Sequence, residues 1–258
     1  MKGTLKLWTR DELILSLNLY LKLPFGKLHS RTPEILHLAK IIGRTPGSVA
    51  MRLNNFASVD PYHQQRGVKG LKGGQKQVQP IWNEFIENNE QLLFDSESLL
   101  AAKEKVSIEI KFAAILKGTE HLQGDDKKSE VKTRVNQDVF RRIVLVNYNS
   151  KCAISGIDIP DLLVASHIVP WSKDVKERLN PENGICLSPL YDRAYDKGYI
   201  GISEKYEILL SPQIIKKKTE SYFQHNFNSL LRSKITMPSK YHPNKQFLQF
   251  HLDTIFKK

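Results

Sequence analysis

Cysteine is scarce: the 258 residues contain two, Cys152 and Cys186, and no C-x-x-C pair. That argues against a disulfide framework or a structural zinc site and leaves both thiols to pack as small apolar side chains. No apolar run approaches the roughly 18 residues needed to cross a bilayer. The opening MKGTLKLW also lacks the apolar core of a secretory signal. A cytoplasmic protein with no membrane partner is the expectation. Acidic side chains are also in short supply, 27 against 39 Lys and Arg, for a net charge of +12. An excess of that size points to a polyanionic partner.

The charge is unevenly spread. Residues 1–80 carry 13 basic and 4 acidic side chains, 81–130 carry 6 and 11, 131–210 are nearly balanced at 11 and 10, and 211–258 carry 9 and 2. Two basic lobes thus flank a nearly neutral stretch, and an acidic, helix-rich connector joins it to the first. The expected domains are a helical region over 1–62, a basic glycine-rich linker over 63–80, an acidic helical connector over 81–130, and a final domain over 131–258.

The first lobe reads as three helices. Thr9 and Glu12 form a capping box ahead of the leucine-rich run Leu13 to Leu23, which Pro24 and Gly26 end. A second helix follows Thr32-Pro33, Gly43 breaks it, and Thr45-Pro46 opens a third with Val49, Leu53 and Phe56 on its apolar face. Two helices joined by a short glycine-containing turn resemble a helix-turn-helix, with Ser48, Arg52 and Asn55 facing DNA. The same pattern also suits a plain three-helix bundle that only supports its neighbour. The stretch QQRGVKGLKGGQKQVQ, residues 64–79, reads as a flexible basic linker, with Lys69 and Lys72 available to phosphates. A helical segment is expected from Trp82 past Leu100, and a polar break over Gly118 to Glu130 is the expected hinge. Arg134 and Arg141, on or near the helix that follows, are candidates to hold a nucleic-acid backbone.

The most informative stretch is LLVASHIVPWSKDVKERLNPENGICLSPLYDRAYDKG, residues 162–198. An apolar run ending at Val169-Pro170, a polar loop, the turn pair Asn183-Gly184 and a second short run, Ile185 to Leu187, predict a hairpin with a long loop. Ser188-Pro189 then opens a short helix over 189–197 that Gly198 ends. On that helix Asp192 and Asp196 share one face, where their like charges repel unless a cation sits between them. A solvated face eased by Arg193 and Lys197 is the bland alternative; a strand-ending His167 and the loop Asn183 just upstream argue for a constellation.

SHIVPW, NPENGICL and LYDRAYDKG, with the lead-in TRVNQDVFRRIVLVNYNSKCAISG, resemble the signature of the HNH nucleases, strongly from about Arg134 to Ile202 and loosely to the LQFH at His251. The resemblance implies an α+β protein, a mainly helical N-terminal lobe followed by a ββα-metal nuclease domain. It implies His167 as general base, Asn183 as the motif asparagine, and Asp192 and Asp196 as metal-binding positions. Ser166 stands where the family commonly has an aspartate or histidine ligand, and Tyr191 where a third histidine is usual. Two carboxylates favour one hard ion per site, Mg²⁺ or Mn²⁺. The expected function is a restriction-type or defence endonuclease hydrolysing DNA, with double-stranded DNA as the expected substrate and either a homodimer or two sequential nicks as the route to cutting both strands. The rivals are a DNA-binding regulator with an inactive HNH unit and an RNA or structure-specific nuclease. His225, His242 and His251, lacking ligand spacing, are expected to be structural or surface residues.

Overall fold

The structure, a computed structural model, describes residues 7–67, 71–231 and 233–258. Lys69 and the Lys72 side chain lie outside the described residues. The chain divides into two compact units, 1–139 and 140–258. Helices dominate the first and two small antiparallel hairpins mark the second, an α+β arrangement. Among the described residues no helix is long and apolar enough to cross a membrane.

The first unit begins with α1 (Arg10–Leu21), whose start carries the expected capping box between Thr9 and Glu12. Next come α2 (Pro33–Ile42), closed by Gly43 in the left-handed conformation that glycine adopts without strain, and α3 (Pro46–Val59), capped by the Thr45 hydroxyl. Short α4 (Pro61–Gln65) leads to long α5 (Gln75–Lys103), kinked at Asn88. Helices α1, α3 and α5 pack around Tyr20, Phe56 and Trp82, with the Tyr20 ring 6.1 Å from Phe56 and 6.2 Å from Trp82. The buried carboxylate of Glu97 is held by Lys22, Lys111 and the Asn18 amide, which keep it ionised against the cost of burial.

Two expectations change here. The helix expected from Trp82 starts at Gln75, inside the glycine-rich stretch, and the Gly74 before it lies so close to Asn55 and Arg52 that a Cβ would collide with both. The polar hinge expected over Gly118 to Glu130 is helical from Gly124 onward. Its charges are compatible with a solvated helix whose first turn carries Asp125 and Asp126, where the helix dipole favours them. After α6 (Ile108–Lys111), helix α7 (Gly124–Asn147) therefore runs through residue 131, the expected start of the nuclease domain.

The second unit contains the last turns of α7 and the expected hairpin, β1 (Val164–His167) with β2 (Gly184–Leu187), pairing His167 with Gly184. Helix α8 (Pro189–Asp196) follows directly and packs on both strands. A second hairpin, β3 (Ile200–Ile202) with β4 (Ile208–Leu210), then α9 (Pro212–Ile215), α10 (Ser221–Asn226) and α11 (Lys245–Thr254) complete the unit. Gly201 on β3 has no room for a Cβ beneath Leu252 and Phe256, so α11 and the turn after it sit tight on that strand.

Candidate active site

His167 is the last residue of β1, and its ring is held on three sides. Phe140 stacks on it, 3.9 Å between ring centres and 13° between planes; Trp171 meets it edge-on at 5.4 Å; and Nε2 lies 2.9 Å from the Arg178 carbonyl. A carbonyl only accepts, so Nε2 carries the proton and the lone pair is left on Nδ1. Burial lowers the His167 pKa below its ordinary value, with the Arg178 carbonyl partly opposing and the Arg178 charge assisting. The imidazole is therefore neutral, and able to take a proton, at pH 7.

Phe140 reaches this ring because of a glycine on the partner strand. At Gly184, opposite His167, a Cβ would collide with Val144 and Phe140. Asn183 works on the backbone of the long loop. Its Nδ2 donates to Val169 O at 3.1 Å and Glu177 O at 3.0 Å, and its Oδ1 accepts from Val169 N at 2.8 Å. Arg178 Nε donates to Trp171 O at 2.7 Å, with the guanidinium over the indole. The loop between the strands is thus tied down on both sides of the histidine.

Helix α8 forms the opposite wall. Its start, Ser188, makes no side-chain cap, contrary to expectation; its backbone N–H donates instead to Cys152 Sγ at 3.1 Å. Both cysteines are buried and free. Gly198 ends the helix in the left-handed conformation, as expected. Asp192 and Asp196 line one cleft of about 430 Å³ together with His167, Ser166, Trp171 and His251. Burial raises the Asp192 pKa, opposed by the nearby Ser166 hydroxyl and Arg193 charge. Asp196, more exposed, is pushed up by loss of water on its cleft side and then by the Asp192 charge.

A cation between them would relieve that mutual repulsion, and the donors suit a hard one. Two carboxylate oxygen donors face the cleft beside Ser166 Oγ, which is buried without a well-formed hydrogen bond. Among the described residues no set of three His, Cys, Asp or Glu side chains is close enough to hold an ion by itself. The residues fit an ion that keeps several waters and takes one or two carboxylates, the habit of Mg²⁺ rather than zinc.

His251, expected to be a structural or surface residue, lines this cleft. It is 1 % exposed, its Nε2 lies 3.1 Å from the Tyr195 carbonyl in the last turn of α8, and Nδ1 has no partner. No spacing signal links position 251 to position 195; only the packing of α11 brings them together.

The residues expected to touch nucleic acid are placed as follows. Arg52 and Asn55 are buried in the first unit: Arg52 lies over the Trp8 ring at 4.7 Å, and Asn55 donates to Leu71 O at 2.6 Å. Ser48 is half-buried at the start of α3, where its backbone N–H meets the Thr45 cap. Arg134 pairs with Glu130 one turn back at 2.7 Å. Arg141 donates to the carbonyls of Leu163 and, at 2.8 Å, Pro160, pinning the approach to β1.

Residues 152–203 match the family model of the HNH endonucleases. The match spans β1, β2, α8 and β3 and includes every lining residue of the cleft but His251 and Ile255, so the second unit contains a stretch similar to an HNH nuclease core. HNH nucleases act on DNA and generally use a divalent metal. No curated protein matches the chain.

Proposed function

We propose that the chain is a divalent-metal-dependent endonuclease that hydrolyses DNA phosphodiester bonds, of restriction or defence type, working in the cytoplasm on double-stranded DNA. One observation carries this reading: a neutral, immobilised His167 and two mutually repelling carboxylates, Asp192 and Asp196, share one cleft. In this reading His167 Nδ1 takes a proton from water as its oxygen attacks phosphorus, the P–O ester bond breaks, and the departing oxygen is protonated from solvent. The Arg178 carbonyl holds the base in its tautomer, and Phe140 and Trp171 hold its ring in place; Asn183 keeps its loop closed. Asp192, with Asp196 beside it, would hold Mg²⁺ or Mn²⁺, which when bound supplies positive charge against the phosphate and the leaving oxygen. Arg193 and Lys197, at the cleft edge, draw in the phosphate backbone.

The basic first lobe supports a role in choosing where to cut. The order of helix α2, a three-residue turn and α3 supports reading this region as helix-turn-helix-like. With Arg52 and Asn55 buried, Ser48 is the remaining candidate among the three side chains proposed for it. One ββα unit cuts one strand, so we extend the proposal to a homodimer for duplex cleavage.

Ser166, where a ligand is usual, favours a second reading: a DNA-binding regulator whose nuclease unit does not cut. Supercoiled plasmid incubated with the protein and Mg²⁺ or Mn²⁺, beside His167→Ala, separates the two. Nicked or linear DNA with the natural chain alone supports the nuclease; intact plasmid with both, while both still shift DNA in a gel, overturns it. Competition with single strands and RNA tests the preference for duplex DNA.

A further inference from the structure

Helix α8 is a ridge between two clefts. Asp192 and Asp196 face the first, and one residue further along each time, Arg193 and Lys197 line both. The second cleft, about 610 Å³, lies between α8, α9 and α10, with Leu190, Tyr199, Lys217 and Tyr222 among its walls. Among the described residues no carboxylate lines it, and three cations do. Its lip is apolar and open: Tyr222 is 50 % exposed and Leu190 47 %. Tyr199, another aromatic of this cleft, carries the Lys257 ammonium 3.8 Å from its ring centre.

We infer that this second cleft binds an unpaired nucleotide of the strand being cut, with its base against Tyr222 and Leu190 and its phosphate among Arg193, Lys197 and Lys217. The inference rests on the nuclease reading above and names how the same site holds its substrate. An exposed aromatic beside cations, without carboxylates, is the chemistry that takes single-stranded nucleic acid: every base has a face to stack and every phosphate a charge to pair. A second copy of this chain fits less well, because it brings a net +12 to a basic groove. Continuity gives the position. Arg193 and Lys197 line both clefts, so a strand passing over the ridge from the first cleft enters the second with its phosphates on the same two cations.

The test uses the full chain with His167→Ala, so that bound strands stay whole, and a short single-stranded oligonucleotide carrying the fluorescent base 2-aminopurine. Adding Tyr222→Ala is expected to weaken binding about 5- to 150-fold, the range of losing one stacking platform, and to relieve the quenching of the probe. Tyr222→Phe keeps the ring and both signals. Lys217→Gln lowers the slope of log affinity against log salt by about 0.7, one phosphate contact on a single strand. Thermal unfolding of each variant, unchanged for these exposed positions, certifies the fold. Affinity and fluorescence unmoved by Tyr222→Ala overturn the inference, as does an effect confined to self-association, which makes the groove a protein interface. Plasmid cleavage by the natural chain is followed in parallel. Tyr222-dependent binding without any cleavage leaves the groove standing and removes the nuclease reading; cleavage with Tyr222-independent binding does the reverse.

Discussion

The His251 imidazole lies flat on the Tyr195 ring, 3.7 Å between centres and 5° between planes, while its Nε2–H donates to the carbonyl of that same tyrosine. One side chain from α11 thus grips the helix that presents Asp192 and Asp196. A glutamine side chain reaches as far as the ε nitrogen and keeps a donor there; an asparagine is too short. We expect His251→Asn to lower stability by about 1–3 kcal/mol, the cost of leaving a buried group unpaired, and to weaken Mn²⁺ binding as the carboxylates lose register. His251→Gln should recover part of both. Chemical unfolding and Mn²⁺ titration by electron paramagnetic resonance check the pair, and equal losses in the two variants would remove the grip from the account.

Burial also lowers the His251 pKa to about 4. An unfolded histidine takes up its proton near pH 6.5, so below that pH the unfolded chain binds a proton that the folded chain refuses. The contribution is full above pH 6.5 and declines as pH falls towards about 4, by a total on the order of 3 kcal/mol. Melting temperature measured in chelator across that window should fall with acid, and His251→Phe should flatten the slope.

For His167 the lowered pKa moves the catalytic profile in the same direction. The base is active when neutral, so the acid limb of kcat/KM should have its midpoint below 6.5. Replacing Phe140 by Ala opens the ring to water, and the midpoint should climb towards the ordinary histidine value while kcat falls. A midpoint already at 6.5 or above in the natural chain would contradict the buried, neutral base.

Asp192→Asn removes one of two crowded charges. Without metal the variant should be as stable as the natural chain or more so, by up to about 1 kcal/mol for a partly exposed pair. With Mg²⁺ or Mn²⁺ the natural chain gains melting temperature by mass action and the variant gains none. Calorimetric scans with and without the ion distinguish this from simple damage, which would lower both curves.

Gly184→Ala should cost about 1–3 kcal/mol by overpacking and reduce cleavage, since the new methyl group pushes on Phe140 beneath the histidine. Gly26→Ala, whose Cβ would meet nothing within 4 Å, is the matched control and should stay within about 0.5 kcal/mol.

Local rules make much of this legible in the sequence. The Thr9–Glu12 capping box, the breaks at Gly43 and Gly198 and the short helix opened by Pro189 depend on neighbours within a few residues, the hairpin shows as two short apolar runs on either side of a long polar loop, and all occur. Polarity is a poor guide to looseness: Gly118 to Glu130, expected as a hinge, is helical over its second half. The burial of Arg52 has a sequence signal, since it lies three residues after Val49 and four before Phe56, on the edge of the buried stripe of α3. The second cleft and His251 leave no such mark, because α9, α10 and α11 meet α8 only through tertiary packing.

The Asn183-Gly184 bond is of the kind most prone to spontaneous deamidation, in which the glycine amide nitrogen attacks the asparagine side-chain carbonyl and ammonia leaves. Here both reactants are occupied: the Gly184 N–H is donated to Pro181 O, and the Asn183 amide makes three bonds to loop backbone. Folding therefore protects the chain chemically as well as mechanically. Molecules that spend time unfolded should accumulate aspartate and isoaspartate at 183 and fail to close the loop again, so the time a preparation has spent unfolded becomes readable as a mass increment in the peptide that carries this bond.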